Sequence, residues 1–254
     1  MDPLHILLIV GAGIIGGVIS SMAGGASLFT FPAILAVGLP PTMAVAVTTT
    51  ALTPSLFLAT FYDRAQLPPF GRPLITTVLV AICGGFIGGA LLLLTPQRMF
   101  EVLVPMLLAF ATVLLAFAPR ISRWLAAHTG AAGAPNPAQS AAVMLPVSIY
   151  GGYFGVGLGV LVLGVLSIGT AGNYRSANVT KNLVTGCNSL AAVVIFASQD
   201  ALSWPAALLM TAGTLTGSLF GARLAQVLPN AVARAFVIAV GVLLTTVFTW
   251  RYWF

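Results

Sequence analysis

The chain has 254 residues, 59% of them hydrophobic and only 6% charged, with a formal net charge of +6 and a mean hydropathy of +1.07. A soluble domain carries about a quarter of its residues charged, so composition excludes one and predicts an all-α polytopic membrane protein whose first partner is the lipid bilayer. The basic residues are scattered at the ends of apolar stretches, with no basic patch interleaved with aromatics, which excludes nucleic acid as a partner.

Residues 3–62 hold no Asp, Glu, Lys or Arg, whereas roughly 18 to 20 apolar residues suffice for one spanning helix. Several helices therefore lie back to back. Apolar segments fall near 4–22, 26–38, 42–61, 73–94 and 98–118, and again near 141–157, 160–172, 176–197, 203–222 and 230–250. The second segment of each set is too short to cross about 30 Å of hydrocarbon comfortably at about 1.5 Å per residue. Segments one and two of each set are thus either two short crossings or one re-entrant hairpin, giving about eight to ten membrane segments in all.

The two sets repeat one design. Gly17, Ser21 and Gly25 match Gly151, Gly155 and Gly159 at a constant difference of 134; Thr48 matches Thr180, Gly85 matches Gly217 and Gly89 matches Gly221 at 132. Each half has an odd number of crossings on either reading, so the halves enter the membrane from opposite sides and form inverted repeats with broken or re-entrant helices at their starts. Residues 1–118 are the first repeat, 119–140 a linker rich in Ala, Gly and Pro, and 141–254 the second repeat.

Arg64, Arg72, Arg120, Arg123, Arg175, Arg223 and Arg234 fall on one side of this topology, and Arg98 and Arg251 on the other. The positive-inside rule makes the first side cytoplasmic, places the linker there, and puts both termini outside. The first twenty residues carry Asp2 rather than a basic start and take part in the repeat, so they read as mature protein rather than a removable signal. Cys83 and Cys187 read as packed thiols, and His5 and His128 lie far apart, so neither pair predicts a metal, a cofactor or an enzyme's nucleophile and base.

The eighth segment carries the chemistry. Asn178, Lys181, Thr185 and Asn188, together with Asn182, fall within about 120° of arc on a helix turning about 100° per residue, and Thr180 flanks them. Lysine in a bilayer costs a few kcal/mol and normally faces a protein interior or wet cavity beside a negative partner. The four acidic residues all lie near segment ends, which leaves a bound small anion as that partner. The alternative is a lysine snorkelling toward the headgroups from six residues past Arg175.

The first half offers a neutral counterpart in Thr48, Thr49 and Thr50, with Thr42 and Thr53 on the same helix. Threonine also bonds back to its own helix, so packing is the competing reading. Ser21, Gly24, Gly25, Gly155, Gly157 and Gly159 lie where short segments meet, where glycine permits breaks whose backbone N–H groups can receive an anion. Gly13, Gly17, Gly85, Gly89, Gly217 and Gly221 equally suit close helix packing.

The stretches GGVISSMAGGASLFTFPAIL, GLPPTMAVAVTTTAL, GGFIGGA with TGSLFGA, and ANVTKNLVTGCNSLAAVVIF together resemble the TauE/SafE sulfite exporter family of bacterial membrane transporters over nearly the whole chain. The resemblance implies a bacterial inner-membrane transporter of sulfite, a sulfonate or another small organosulfur anion, with Thr180, Lys181 and Asn188 lining the permeation site. It is compatible with a homodimer and implies no cofactor. Many members carry Asn-Lys where this chain has Thr49 and Thr50, and GxGGG where it has GVGLG at 155–159, so its site would be charged on one side only.

An inside-negative potential drives an anion outward by about 2.3 kcal/mol per charge per 100 mV, so an uncoupled carrier exports. Sodium held by carbonyl, Thr or Asn oxygens, and proton coupling through Lys181, stay open, as do an anion channel and a non-transporting structural subunit.

Overall fold

Ten α-helices and a 3₁₀ turn at Arg64–Gln66 form in the computed structural model, which describes residues 2–22, 25–129, 137–169, 174–224 and 230–253. The first half contains α1 (Pro3–Met22), α2 (Ser27–Ala36), α3 (Pro41–Tyr62), α4 (Arg72–Leu94) and α5 (Gln97–Thr129). The second contains α6 (Pro137–Tyr153), α7 (Leu158–Gly169), α8 (Tyr174–Ser198), α9 (Trp204–Leu224) and α10 (Asn230–Trp253). The described residues contain no strand, as expected where backbone groups must pair within their own segment.

Six of these helices are long and apolar enough to cross a membrane: α1, α3, α4, α5, α8 and α10. With 10 and 12 residues, α2 and α7 reach only about 15 to 18 Å at about 1.5 Å per residue. Helix α5 continues to Thr129 and α6 begins at Pro137, so most of the stretch between the repeats is helical; residues 130–136 lie outside the described residues.

The halves exchange partners symmetrically. Helix α1 packs along α9 and α6 packs along α4, while α3 meets α8 and α5 meets α10. Direction follows from which residues touch. Gly13 lies against Met210 and Thr214, and Gly17 against Thr214 and Ser218, so α1 and α9 run parallel. Gly84 faces Ser148 and Gly88 faces Gly152, so α4 and α6 run parallel too. In contrast, Trp253 Nε1 donates to Val102 O at 3.1 Å while Gly241 abuts Thr112, so α5 and its repeat mate α10 are antiparallel. The repeats are inverted.

The small residues make these pairings close. A Cβ added at Gly17, Gly85 or Gly217 would collide with the neighbouring helix backbone, which is the packing role read for them in the sequence. Gly217 packs on Ile14 and Gly84 on Ser148, while Gly152 packs on Gly85 as Gly17 packs on Gly217, so the α1–α9 and α4–α6 contacts are built alike.

Burial then ranks the helices. Of the apolar window in α8, 61% is buried, against 17% in α10. The polar helix α8 and its mate α3 stand in the middle, and the uniformly apolar helices surround them, which is the order expected when lipid is the solvent.

Candidate functional site

The two glycine breaks face α3 and α8 across a shared cavity. The first break lies between α1 and α2, where Gly25 has φ 83°; the second lies between α6 and α7, where Gly155 and Gly157 have φ 71° and 78°. These left-handed conformations are open to glycine and strained for other residues. The backbone also aligns the breaks: Leu28 N donates to Gly25 O, and Val160 N donates to Gly157 O, each at 3.0 Å. Leu158 N also donates to Gly155 O at 3.3 Å, so both glycines of the second break repeat the bond that Gly25 makes at the first.

The second break is pinned from its own side. Tyr150 Oη donates to Val156 O at 2.6 Å, and Phe154 packs edge-on against Phe31 with ring centroids 5.5 Å apart. Phe100 and Tyr150 complete the aromatic cluster around Phe154. A rigid aromatic base thus fixes a backbone segment that has no regular helix of its own.

The cavity is about 80 Å³ and is walled by both breaks and both central helices. Gly25, Ala26 and Ser27 line it at the start of α2, and Gly157, Leu158 and Gly159 at the start of α7, so two helix N-termini open onto one space. Each N-terminus carries roughly half a positive charge and unsatisfied N–H groups. Helix α3 contributes Thr48 and Thr49, and α8 contributes Lys181, Asn182 and Thr185. Gly155 and Gly159 bridge these helices: a Cβ at Gly155 would stand 3.7 Å from Thr49 Oγ1, and one at Gly159 3.6 Å from Lys181 Cδ.

Lys181 does not reach past the protein to solvent alone; its Nζ donates to Asn178 Oδ1 at 2.9 Å while the side chain lines the cavity. The hydroxyls beside it are unusual. Thr50, Thr53, Thr60, Thr112, Thr180 and Thr211 each donate to the carbonyl four residues earlier, which is how a helical threonine is normally satisfied. Thr48 Oγ1 and Thr185 Oγ1 are buried at the cavity wall with no hydrogen-bond partner among the described residues. A buried hydroxyl without a partner costs about 1–3 kcal/mol, so these two are available to a ligand.

Of the residues singled out in the sequence, Lys181, Asn182, Thr185, Thr48, Thr49, Gly25, Gly155, Gly157 and Gly159 meet at this cavity. Asn178 sits behind it as the partner of Lys181. Thr50 and Thr180 are spent on the carbonyls of Ala46 and Ser176 and do not line it. Asn188 is also away from the lining: its Nδ2 donates to Ala81 O at 2.9 Å and to Ser148 O at 2.8 Å, clamping α8 to α4 and α6. Gly24 lies outside the described residues, as does the side chain of Ser21. Ser20, Ser27 and Ser189 line the cavity, as do the apolar Leu52, Leu56, Phe154 and Leu158. Ser20 and Ser189 adjoin Ser21 and Asn188, which the sequence did single out, and only the packing of distant helices reveals that these neighbours line the cavity.

The comparisons with known proteins point the same way. The chain is 24% identical over 259 residues to a "Probable membrane transporter protein" of Haemophilus influenzae, covering 96% of this chain and 94% of that one. It is 26% identical over 220 residues to "Probable membrane transporter protein ORF9" of a Sinorhizobium species, covering 85% and 81%. A "Probable membrane transporter protein" of Xylella fastidiosa is 24% identical over 266 residues, covering 98% and 96%. No solved structure is a significant match. The sequence profile described as "Sulfite exporter TauE/SafE" matches residues 9–248, and with helix order, inverted halves and a cationic cavity in place the chain belongs to the TauE/SafE family of membrane transporters.

Proposed function

We propose that the protein is a secondary transporter of a small organosulfur anion, held between the two glycine breaks and passed across the membrane by alternating access. The observation that carries this reading is the convergence of Lys181, the unpartnered Thr48 and Thr185 hydroxyls, and the N-termini of α2 and α7 on one cavity. Every one of these groups donates to or attracts negative charge. Among the described residues, no Asp or Glu lines the cavity.

The cavity volume of about 80 Å³ suits a small ligand, and the wall formed by Leu52, Leu56, Phe154 and Leu158 suits an apolar tail. A sulfonate with a short carbon chain satisfies both sides; sulfite satisfies only the polar one. Inverted halves whose breaks face a common site are the architecture in which rocking one repeat against the other exposes the site alternately. An anion crossing alone is driven outward by about 2.3 kcal/mol per charge per 100 mV, so uncoupled transport is export. With Arg64, Arg72, Arg120 and Arg175 cytoplasmic, both termini lie on the periplasmic side of a bacterial inner membrane.

Proteoliposomes loaded with a short alkyl sulfonate test the proposal. Export that is abolished by Lys181→Ala supports it; flux equal to that of empty liposomes, or equal in the variant, contradicts it.

A further inference from the structure

The close contacts sort eight of the helices into two interlocked units. In one, Gly13 and Gly17 of α1 lie against the backbone of α9, and Gly217 of α9 lies against Ile14. Thr214 of α9 donates its hydroxyl to Ala51 O of α3 at 2.7 Å, and Thr30 of α2 fills the place a Cβ would take at Gly16 of α1. In the other, Gly84 and Gly88 of α4 lie against the backbone of α6, and Gly85 against that of Asn188 on α8. Asn188 Nδ2 bonds to α4 and α6, Tyr153 Oη meets Thr95 Oγ1 of α4 at 3.3 Å, and Leu158 of α7 packs on Gly151 of α6. The units are thus α1, α2 and α3 with α9, and α6, α7 and α8 with α4. Each holds three helices of one repeat and the fourth helix of the other.

Contacts between the units are of another kind. A Cβ at Gly186 of α8 would stand 3.2 Å from the ring of Phe57 on α3, and one at Gly155 3.7 Å from Thr49 Oγ1. Phe31 of α2 meets Phe154 of the second break edge-on, with ring centroids 5.5 Å apart. Side chains can part or turn to another rotamer. Backbones pressed together at glycines and joined by buried hydrogen bonds cannot shift without collision or the loss of those bonds. The cavity lies between the units: Ser20, Ser27 and Thr48 line it from one, and Gly155, Lys181 and Thr185 from the other.

We infer that transport moves α1, α2, α3 and α9 as one body against α4, α6, α7 and α8, with the anion held between them. The inference rests on the transport reading of the cavity, and it divides the chain differently from the repeats. A rocking of residues 1–118 against 141–254 would have to pull α9 from α1 and α4 from α6, the pairings that glycine contacts lock at the backbone. The Phe31–Phe154 contact is the seal between the two bodies at one end of the cavity. Phe100, two residues after Arg98, packs on Phe154 with ring centroids 6.3 Å apart, so the seal belongs to the end of α5 that carries Arg98.

Ethanesulfonate flux in proteoliposomes tests it, in a full chain whose Cys83 and Cys187 are replaced by Ala. A Cβ at Gly89 of α4 would stand 3.4 Å from Ala192 Cβ of α8, about the spacing that a disulfide takes. Oxidised G89C/A192C joins the two repeats inside one unit and should keep the flux of its reduced form. T95C/Y153C, bridged by a short bis-methanethiosulfonate, asks the same at the ends of α4 and α6, and decides the question if the buried pair does not fold. Flux lost on bridging either pair and restored by reductant would overturn the inference. F31C/F154C bridged by the same reagent joins the two units and should lose its flux until reduced; undiminished flux there would overturn the inference as well. A wild-type protein that carries no ethanesulfonate would refute the transport reading itself.

Discussion

Thr49 and Lys181 occupy corresponding positions in the two repeats, at a difference of 132, and both line the same cavity from antiparallel halves of the molecule. Thr49 lies by Gly155 and Lys181 by Gly159, so the second break and the first turn of α7 together span the neutral and the cationic member of the pair. Of the two equivalent positions, only one carries charge.

The unpartnered hydroxyls give a prediction whose two readouts move in opposite directions. Thr48→Val and Thr185→Val keep shape while removing a buried hydroxyl that bonds to nothing. The folded protein should be as stable as wild type or slightly more so. Anion affinity should fall by roughly tenfold for each, the equivalent of a hydrogen bond of about 1 to 1.5 kcal/mol. Calorimetric titration alongside thermal unfolding checks both, and unchanged affinity would remove these residues from the site.

Glycine positions along α1 separate packing from flexibility. At Gly17 an added side chain meets the backbone of Thr214 and Ser218, whereas Gly11 has nothing within 4 Å. Gly17→Val should force α1 from α9 at a cost of about 1 to 3 kcal/mol or more, seen as loss of the monodisperse peak on size exclusion. Gly11→Ala should be neutral or stabilise the helix by about 0.5 to 1 kcal/mol.

Asn188→Ala should cost about 1 to 3 kcal/mol by breaking the clamp among α4, α6 and α8. It should leave a sulfonate-dependent Tm shift in the protein that still folds. A variant of wild-type stability that binds no sulfonate would instead place Asn188 in the anion site.

The residue types that set this clamp explain what the sequence could and could not reveal. Ten helices, their breaks and their inversion were legible because lipid exposure imposes hydropathy on long stretches, and glycine and proline punctuate them. The face of α8 that turns inward was legible from its polar spacing. What Asn188 touches was not, since its acceptors lie 40 and 107 residues away, on α6 and α4. The same holds for the breaks: glycine spacing paired Gly25 with Gly159, and the backbone bonds that enter α2 and α7 fall on Gly25, Gly155 and Gly157.

Topology can be checked with single cysteines placed in a background lacking Cys83 and Cys187. Trp253 bonds to Val102, so Arg98 and Arg251 stand at the same end of the α5–α10 pair, opposite Arg120. R98C and R251C should react with a membrane-impermeant maleimide in intact cells, and R64C, R72C and R120C only after lysis. Labelling of all five from outside would contradict the proposed orientation.

The central claim is that Lys181 holds an anion in the cavity between the breaks. Thermal unfolding of wild type and Lys181→Ala across sulfite, sulfate, taurine, isethionate and short alkyl sulfonates tests it directly. A ligand at about 100 times its Kd should stabilise the wild-type fold by about 2.7 kcal/mol. The account predicts that at least one short organosulfonate stabilises wild type and fails to stabilise Lys181→Ala. An equal response in both proteins would contradict it, leaving Lys181 as a structural partner of Asn178.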